Sequence, residues 1–332
     1  MTTLKTFALA ASLSIGLATL PAVAETTTQT KTAIAMIAGH EVPLVAGGLY
    51  DRFHSNPPLS VIANEDPTLD LSWFQTLEKT RVDIGFESYS PNFYYRNSRV
   101  TLVFTADIDR LTELMPAKVL EQVQPLQIWP GRGLIALTAY AYHYCDNDSY
   151  NEIALSIVTN KPGSANMGPF SLIGQSMDSD MWGYVLKLPV DTEVARVRGV
   201  VGYNLPKWLT RIDYRESADD LTFDVYDSES GKLDFSIQAN RLDDLATEPA
   251  LATTSFTNLD HDGNLAWGHA VSRQLLSASS SDPDDVKLTL GDGSFSAFIR
   301  ALDPGRMIKY DYVPEFQSAL YAPELLSTLL DQ

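Results

Sequence analysis

The chain has 332 residues, 45% of them apolar, enough for one large domain or two small ones. Its 42 acidic residues outnumber 24 basic ones, and the resulting net charge of −18 argues against nucleic acid or anionic membranes as partners. Cys145 is the only cysteine, which excludes an internal disulfide and a cysteine-based zinc site.

The first element is a secretory signal over residues 1–24. Lys5 supplies the positive start, residues 7–20 the apolar stretch, and Ala22-Val23-Ala24 a small-residue cleavage site. The mature chain is then expected to start at Glu25, in a secreted or periplasmic location. No later run approaches 18 apolar residues, so no membrane partner is expected after cleavage. Residues 25–95 read as an N-terminal extension packed on the core. It comprises a Thr-rich leader, turn markers at Gly47-Gly48, Pro57-Pro58 and Pro67, and a helix-like run at 71–77.

From Arg96 to Val313 the pattern is mostly strands. Residues 100–105 alternate, and Asp107 is placed to cap a short helix from Ile108 to Met115. Strands are then predicted at 134–144, 151–159, 181–188, 192–201, 209–214, 221–226, 233–239, 252–257, 286–290, 295–301 and 307–313. Residues 277–285 read as a polar loop and 314–332 as a helical tail. Many short strands separated by Gly, Asp and Asn turns predict an antiparallel sheet assembly or barrel.

One lysine stands out. Lys207 lies in Gly202-Tyr203-Asn204-Leu205-Pro206-Lys207-Trp208, where proline fixes the backbone and Leu205 and Trp208 can strip water from the amine. A free lysine has a pKa of about 10.4, so only roughly one in 2,500 is neutral at pH 7. Burial penalises the ammonium, and a neutral amine attacks a ketone to form a Schiff base. The alternative is a lysine that packs its stem on Trp208 and keeps its head in water.

Metal chemistry finds no support. His143, Cys145, Asp146 and Asp148 read as a turn between strands. Asp260-His261-Asp262-Gly263-Asn264 opens like a calcium loop, but Val271 stands where an EF-hand needs its glutamate. Arg52 and His54, in the extension, receive no role.

The stretch Gly199-Val200-Val201-Gly202-Tyr203-Asn204-Leu205-Pro206-Lys207 resembles the segment of the acetoacetate decarboxylase family that carries the Schiff-base lysine. Tyr150-Asn151-Glu152 and the following strand resemble its Tyr-x-Glu stretch. Residues 102–109 with Leu114-Met115-Pro116 resemble its early strand, helix and proline, and 288–312 its closing strands. The three motifs occur in family order, and the resemblance covers residues 96–312.

The resemblance implies a mainly β (α+β) fold, an antiparallel β-barrel with a few short helices, in residues 96–313. It implies Lys207 and Glu152 as catalytic residues and a small keto-acid as substrate, with neither a metal nor an organic cofactor. The family's substrate-binding arginine falls at Asn97, between Arg96 and Arg99. A two-residue slip keeps the strand face and favours Arg99. Tyr140 and Tyr142, on one strand face, can offer hydroxyls where the family has a second glutamate, which falls near Leu137. Trp208 stands where the family has its second lysine, so burial must activate the amine, and Trp208 is counted with the substrate-binding residues. Three readings follow: an exported decarboxylase-type lyase, a Schiff-base aldolase or dehydratase, or a non-catalytic binding protein on the same barrel. All three leave a homo-oligomer open.

Overall fold

The computed structural model describes residues 31–331; the signal expected over residues 1–24 lies outside the described residues. In the extension, β1 (Thr32–Ile37) pairs antiparallel with β2 (His40–Val45), and β3 (Thr80–Asp83) with β4 (Glu87–Ser90). Between these hairpins lie two short helices, Leu49–Phe53 and Leu59–Glu65. The helical run expected at 71–77 is a single 3-10 turn, Phe74–Thr76.

The remaining strands are β5 (Asn92–Asp107), β6 (Arg132–Cys145), β7 (Tyr150–Val158), β8 (Asp180–Lys187), β9 (Ile212–Glu216), β10 (Asp220–Tyr226), β11 (Leu233–Asn240), β12 (Ala250–Leu259), β13 (Leu265–Ser280), β14 (Val286–Leu290), β15 (Met307–Leu320) and β16 (Glu324–Leu325). They build one sheet in the order β12-β8-β7-β6-β5-β15-β13-β16, and β12 also pairs with β13, so seven strands close into a barrel. The barrel pairings are antiparallel except β8–β12, which is parallel. The expected mainly β barrel is therefore the fold. A second, antiparallel sheet runs β14-β11-β10-β9.

The barrel wall has two chemically distinct faces, because side chains alternate along a strand. On β5 to β7, Val100, Leu102, Ile135, Leu137, Ile153 and Leu155 join one buried cluster with Phe223, Phe235 and Ile237 of the second sheet. Each large apolar side chain buried there contributes roughly 1.5–3 kcal/mol. Leu137 belongs to this face. The opposite face carries Arg99, Thr101, Thr138, Tyr140 and Glu152, and there the hydroxyls of Thr101 and Thr138 meet at 3.1 Å.

Several expected elements change. Residues 192–201 were expected as a strand for their valines, yet Glu193–Tyr203 is a helix. Val194, Val197 and Val201 recur at helical spacing and pack on Leu44 and Tyr50 of the extension, so tertiary burial overrides β-branched propensity. Residues 295–301 lie in a second helix, Ser294–Ala301, whose first amides, Phe295 N and Ser296 N, both donate to the Asp234 carboxylate at 3.0 Å. The helical tail expected from 314 is strand as far as Leu320, because β15 keeps pairing with both β5 and β13; only Leu326–Leu330 is helical. The barrel begins at Asn92 rather than Arg96. β13 and the helix Pro169–Met177 were not foreseen. Asp107 caps its helix as expected, accepting from Asp109 N and Arg110 N.

A buried ion pair ties the extension to the barrel. Asp146, fully buried, accepts from Lys79 Nζ at 2.6 Å, Phe93 N at 2.6 Å and the Tyr95 hydroxyl at 2.7 Å. Cys145 is buried and donates to Asp148 O at 2.8 Å, while Asp148 accepts from Leu49 N at 2.6 Å. The residues of the supposed metal turn thus serve backbone and interelement contacts.

Candidate functional site

The helix Glu193–Tyr203 delivers the lysine. Asn204 ends it in the left-handed conformation (φ 48°), a common helix stop. The C-terminus is latched by the β12–β13 turn. Asn258 Nδ2 donates to Tyr203 O at 2.8 Å, and His261 Nε2 donates to Val200 O and Val201 O at 3.0 and 2.9 Å. Beyond Asn204 the chain folds back, with Leu205 N donating to Gly199 O at 3.1 Å and Lys207 N to Leu205 O at 2.7 Å. It then runs beside Val190, which donates to Trp208 O at 3.0 Å and accepts from Thr210 N at 2.9 Å. Val190 itself bridges to Glu152 on β7.

This path brings Lys207 Nζ to 2.5 Å from Glu152 Oε2, with the two side chains only 8% and 9% exposed. The structure therefore joins the two residues that sequence reasoning placed 55 positions apart. Gly199 makes room for the lysine stem. A Cβ there would come within 2.5 Å of Lys207 Cε and closer still to its Cδ. Trp208 packs toward the main core instead. The ring of Tyr150 lies 5.8 Å from Nζ, and the Tyr142 hydroxyl donates to Glu152 Oε1 at 3.4 Å.

A cross-strand row extends the site. Glu152 stands opposite Tyr140, which stands opposite Arg99, so the three side chains leave the same face of the wall. Arg99 stacks its guanidinium 5.4 Å from the Phe316 ring, and its buried Nε has no hydrogen-bond partner among the described residues. Asn97 shares this face but spends its amide on Tyr94 O and Phe316 O. Arg96 does not join the site. A bulge on either side of it turns its side chain away, to an ion pair with Asp66 at 2.7 Å and a bond to Thr68 at 2.9 Å.

Trp208 also departs from expectation. It packs in the main core, its ring edge-on to Phe295 at 5.5 Å, with Lys187 Nζ 5.8 Å from its centroid. Successive residues of an extended segment point to opposite sides, so Lys207 facing Glu152 sends Trp208 the other way.

Tyrosines dominate the surroundings. Tyr140 and Tyr142 stack at 5.3 Å, and the Tyr94 and Tyr150 hydroxyls meet at 3.1 Å. Burial pushes all four phenols up, with the nearby Glu152 carboxylate adding to it, so they stay protonated donors. Asp191 is pushed up to about 6, chiefly by burial, although it accepts from Asn151 N and Nδ2 at 2.8 Å each. Tyr150, Asp191 and Gly199 were not singled out as parts of the site. Gly199 was visible only as a glycine in the lysine motif.

Chemically the site pairs a shielded amine with a carboxylate that can exchange its proton, beside a row of hydroxyls ending in a guanidinium. The amine and the carboxylate hold each other at 2.5 Å, so this contact must be displaced before the amine can act.

The closed seven-stranded barrel with its covering sheet is the acetoacetate decarboxylase-like fold. The chain is similar to acetoacetate decarboxylase from Legionella pneumophila, with 11% identity and a TM-score of 0.50, over 71% of this chain and 86% of that one. It is similar to the enduracididine biosynthesis enzyme MppR with HEPES buffer bound, with 14% identity and a TM-score of 0.50, over 71% of this chain and 88% of the other. No protein-family model and no curated protein matches the sequence.

Proposed function

We propose that the chain is an exported carbon–carbon lyase of the acetoacetate decarboxylase type, acting on a small keto-acid through a Schiff base at Lys207. The observation that carries this reading is the shielded contact of 2.5 Å between the Lys207 amine and the Glu152 carboxylate. Glu152 takes the ammonium proton when substrate enters, and the neutral amine attacks the ketone carbon. The carbinolamine loses water to give an iminium. With the carboxylate on the carbon next to the iminium carbon, as in a β-keto-acid, the bond to the carboxylate then breaks, its electron pair passes through that carbon to the iminium nitrogen, and carbon dioxide leaves. A proton returned to the enamine carbon, followed by hydrolysis, releases the ketone and frees Lys207. Arg99, with its orphaned Nε, holds the substrate carboxylate until that bond breaks.

Two alternatives share the barrel. A Schiff-base aldolase or dehydratase uses the same iminium. A binding protein without turnover is favoured by one feature: Trp208, where the family's second lysine would stand, is locked into the core against Phe295. Borohydride reduction in the presence of acetoacetate or pyruvate separates enzyme from receptor. The lyase reading expects an adduct mass on the Lys207 peptide, absent in Lys207→Met. Ligand binding without any adduct sinks it.

A further inference from the structure

A cavity of about 530 Å³ opens on the Arg99 side of the wall, lined from β5, β8, β12, β13 and β15. Of the four residues Lys207, Glu152, Tyr140 and Arg99, only Arg99 lines it. The volume lies in the range of cavities that take drug-sized ligands, far more than a four-carbon keto-acid fills.

Its chemistry is unusual for a ligand cavity, which is ordinarily mostly apolar. Eleven of its sixteen lining residues are polar or charged, among them Arg99, Thr253, Gln274, Ser277 and Lys309. Lys309 and Asp311 hold each other at 2.9 Å, so their charges are balanced locally. Arg99 has no such carboxylate among the described residues, and its Nε is buried without a partner. Serine and threonine hydroxyls and the Gln274 amide both donate and accept, which suits ligand hydroxyls. An apolar tail would leave these groups unpaired, a loss that polar sites use to reject apolar analogues.

We infer that this cavity takes a polyhydroxylated carboxylic acid of the sugar-acid type, its carboxylate on Arg99 and its hydroxylated tail along the Thr253–Gln274–Ser277 wall. The inference rests on the reading of Arg99 as the carboxylate holder given above, and, since Lys207 does not line this cavity, it names a ligand class for the cavity rather than a substrate for the amine.

Calorimetry with D-gluconate and hexanoate tests it. Both carry one carboxylate and six carbons, and only gluconate has hydroxyls. Gluconate has no ketone, so its binding is blind to the Lys207 amine, and a failed Schiff-base trap and a failed gluconate titration are separate results. The expected outcome is at least tenfold tighter binding of gluconate than hexanoate by the intact protein. Arg99→Met should weaken gluconate at least tenfold. Gln274→Leu narrows the gap between the two acids and serves where Arg99→Met does not fold. Hexanoate binding as tightly as gluconate, no gluconate binding at millimolar concentration, or gluconate binding indifferent to both Arg99→Met and Gln274→Leu each overturns the inference.

Discussion

Gly199→Ala should uncouple the lysine from its carboxylate while leaving the helix intact. The new methyl would come within 2.5 Å of Lys207 Cε, and the stem, being flexible, is what must move. Its displacement leaves Glu152, 7% exposed, without its cation. Breaking a buried pair on one side costs about 3–5 kcal/mol. Alanine in a helix interior recovers about 1 kcal/mol over glycine. The net loss is therefore about 2–4 kcal/mol, or a fall in Tm of about 3–6 °C for a chain of this size. Urea unfolding of a double-mutant cycle with Lys207→Ala is the decisive assay, because its sign should reverse. Once the lysine stem is gone, the same glycine change should stabilise by about 0.5–1 kcal/mol through helix propensity alone. If Gly199→Ala destabilises equally in both backgrounds, the close approach of the lysine stem is not what requires glycine there.

Three further outcomes are expected. Glu152→Gln should slow both borohydride trapping on Lys207 and turnover, by about 10²-fold or more, since it removes the group that takes the ammonium proton; an unchanged trapping rate and kcat refute its role. Trp208→Lys should not create a paired-lysine site, because position 208 faces Phe295. It should cost about 3 kcal/mol in core packing without raising the trapping rate, and faster trapping would show that the segment can re-register. Asp191 has a folded pKa near 6, raised from its ordinary 3.8 by burial, so its contribution to stability is present below about pH 4 and lost as pH rises through about 6. Asp191→Asn should flatten that part of the Tm–pH profile, and a profile identical to wild type would count against it.

The barrel was legible where alternation was clean. The fourteen residues of β6 carry Ile135, Leu137 and Ala139 to one face and Thr138, Tyr140 and Tyr142 to the other, so pattern and structure agree. It was illegible where composition contradicted context. The helix Glu193–Tyr203 is rich in β-branched valines, and only its packing on Tyr50 and Leu44 decides its state. β13 failed to register because serine, alanine and glycine fill much of it, residues with little strand signature. The Lys207–Glu152 pair was anticipated through order and motif rather than geometry. The residues around it could not be, since Tyr150 and Gly199 meet the lysine only through the bridge at Val190 and the reversal at Asn204. Choosing between Arg96 and Arg99 needed face parity, which bulges around Arg96 complicate.

The parallel seam between Asp180–Gly183 and Thr253–Phe256 shapes how the molecule must be assembled. Strands aligned this way cannot be joined by a tight turn. Here the detour between them contains the helix that precedes Lys207 and three strands of the covering sheet. Until that excursion is complete, β8 and β12 remain raw edges able to recruit a neighbouring chain. Lys207 is therefore delivered by the same long excursion whose folding seals the ring, and a chain halted midway would lose the Lys207–Glu152 contact and its protection from aggregation together.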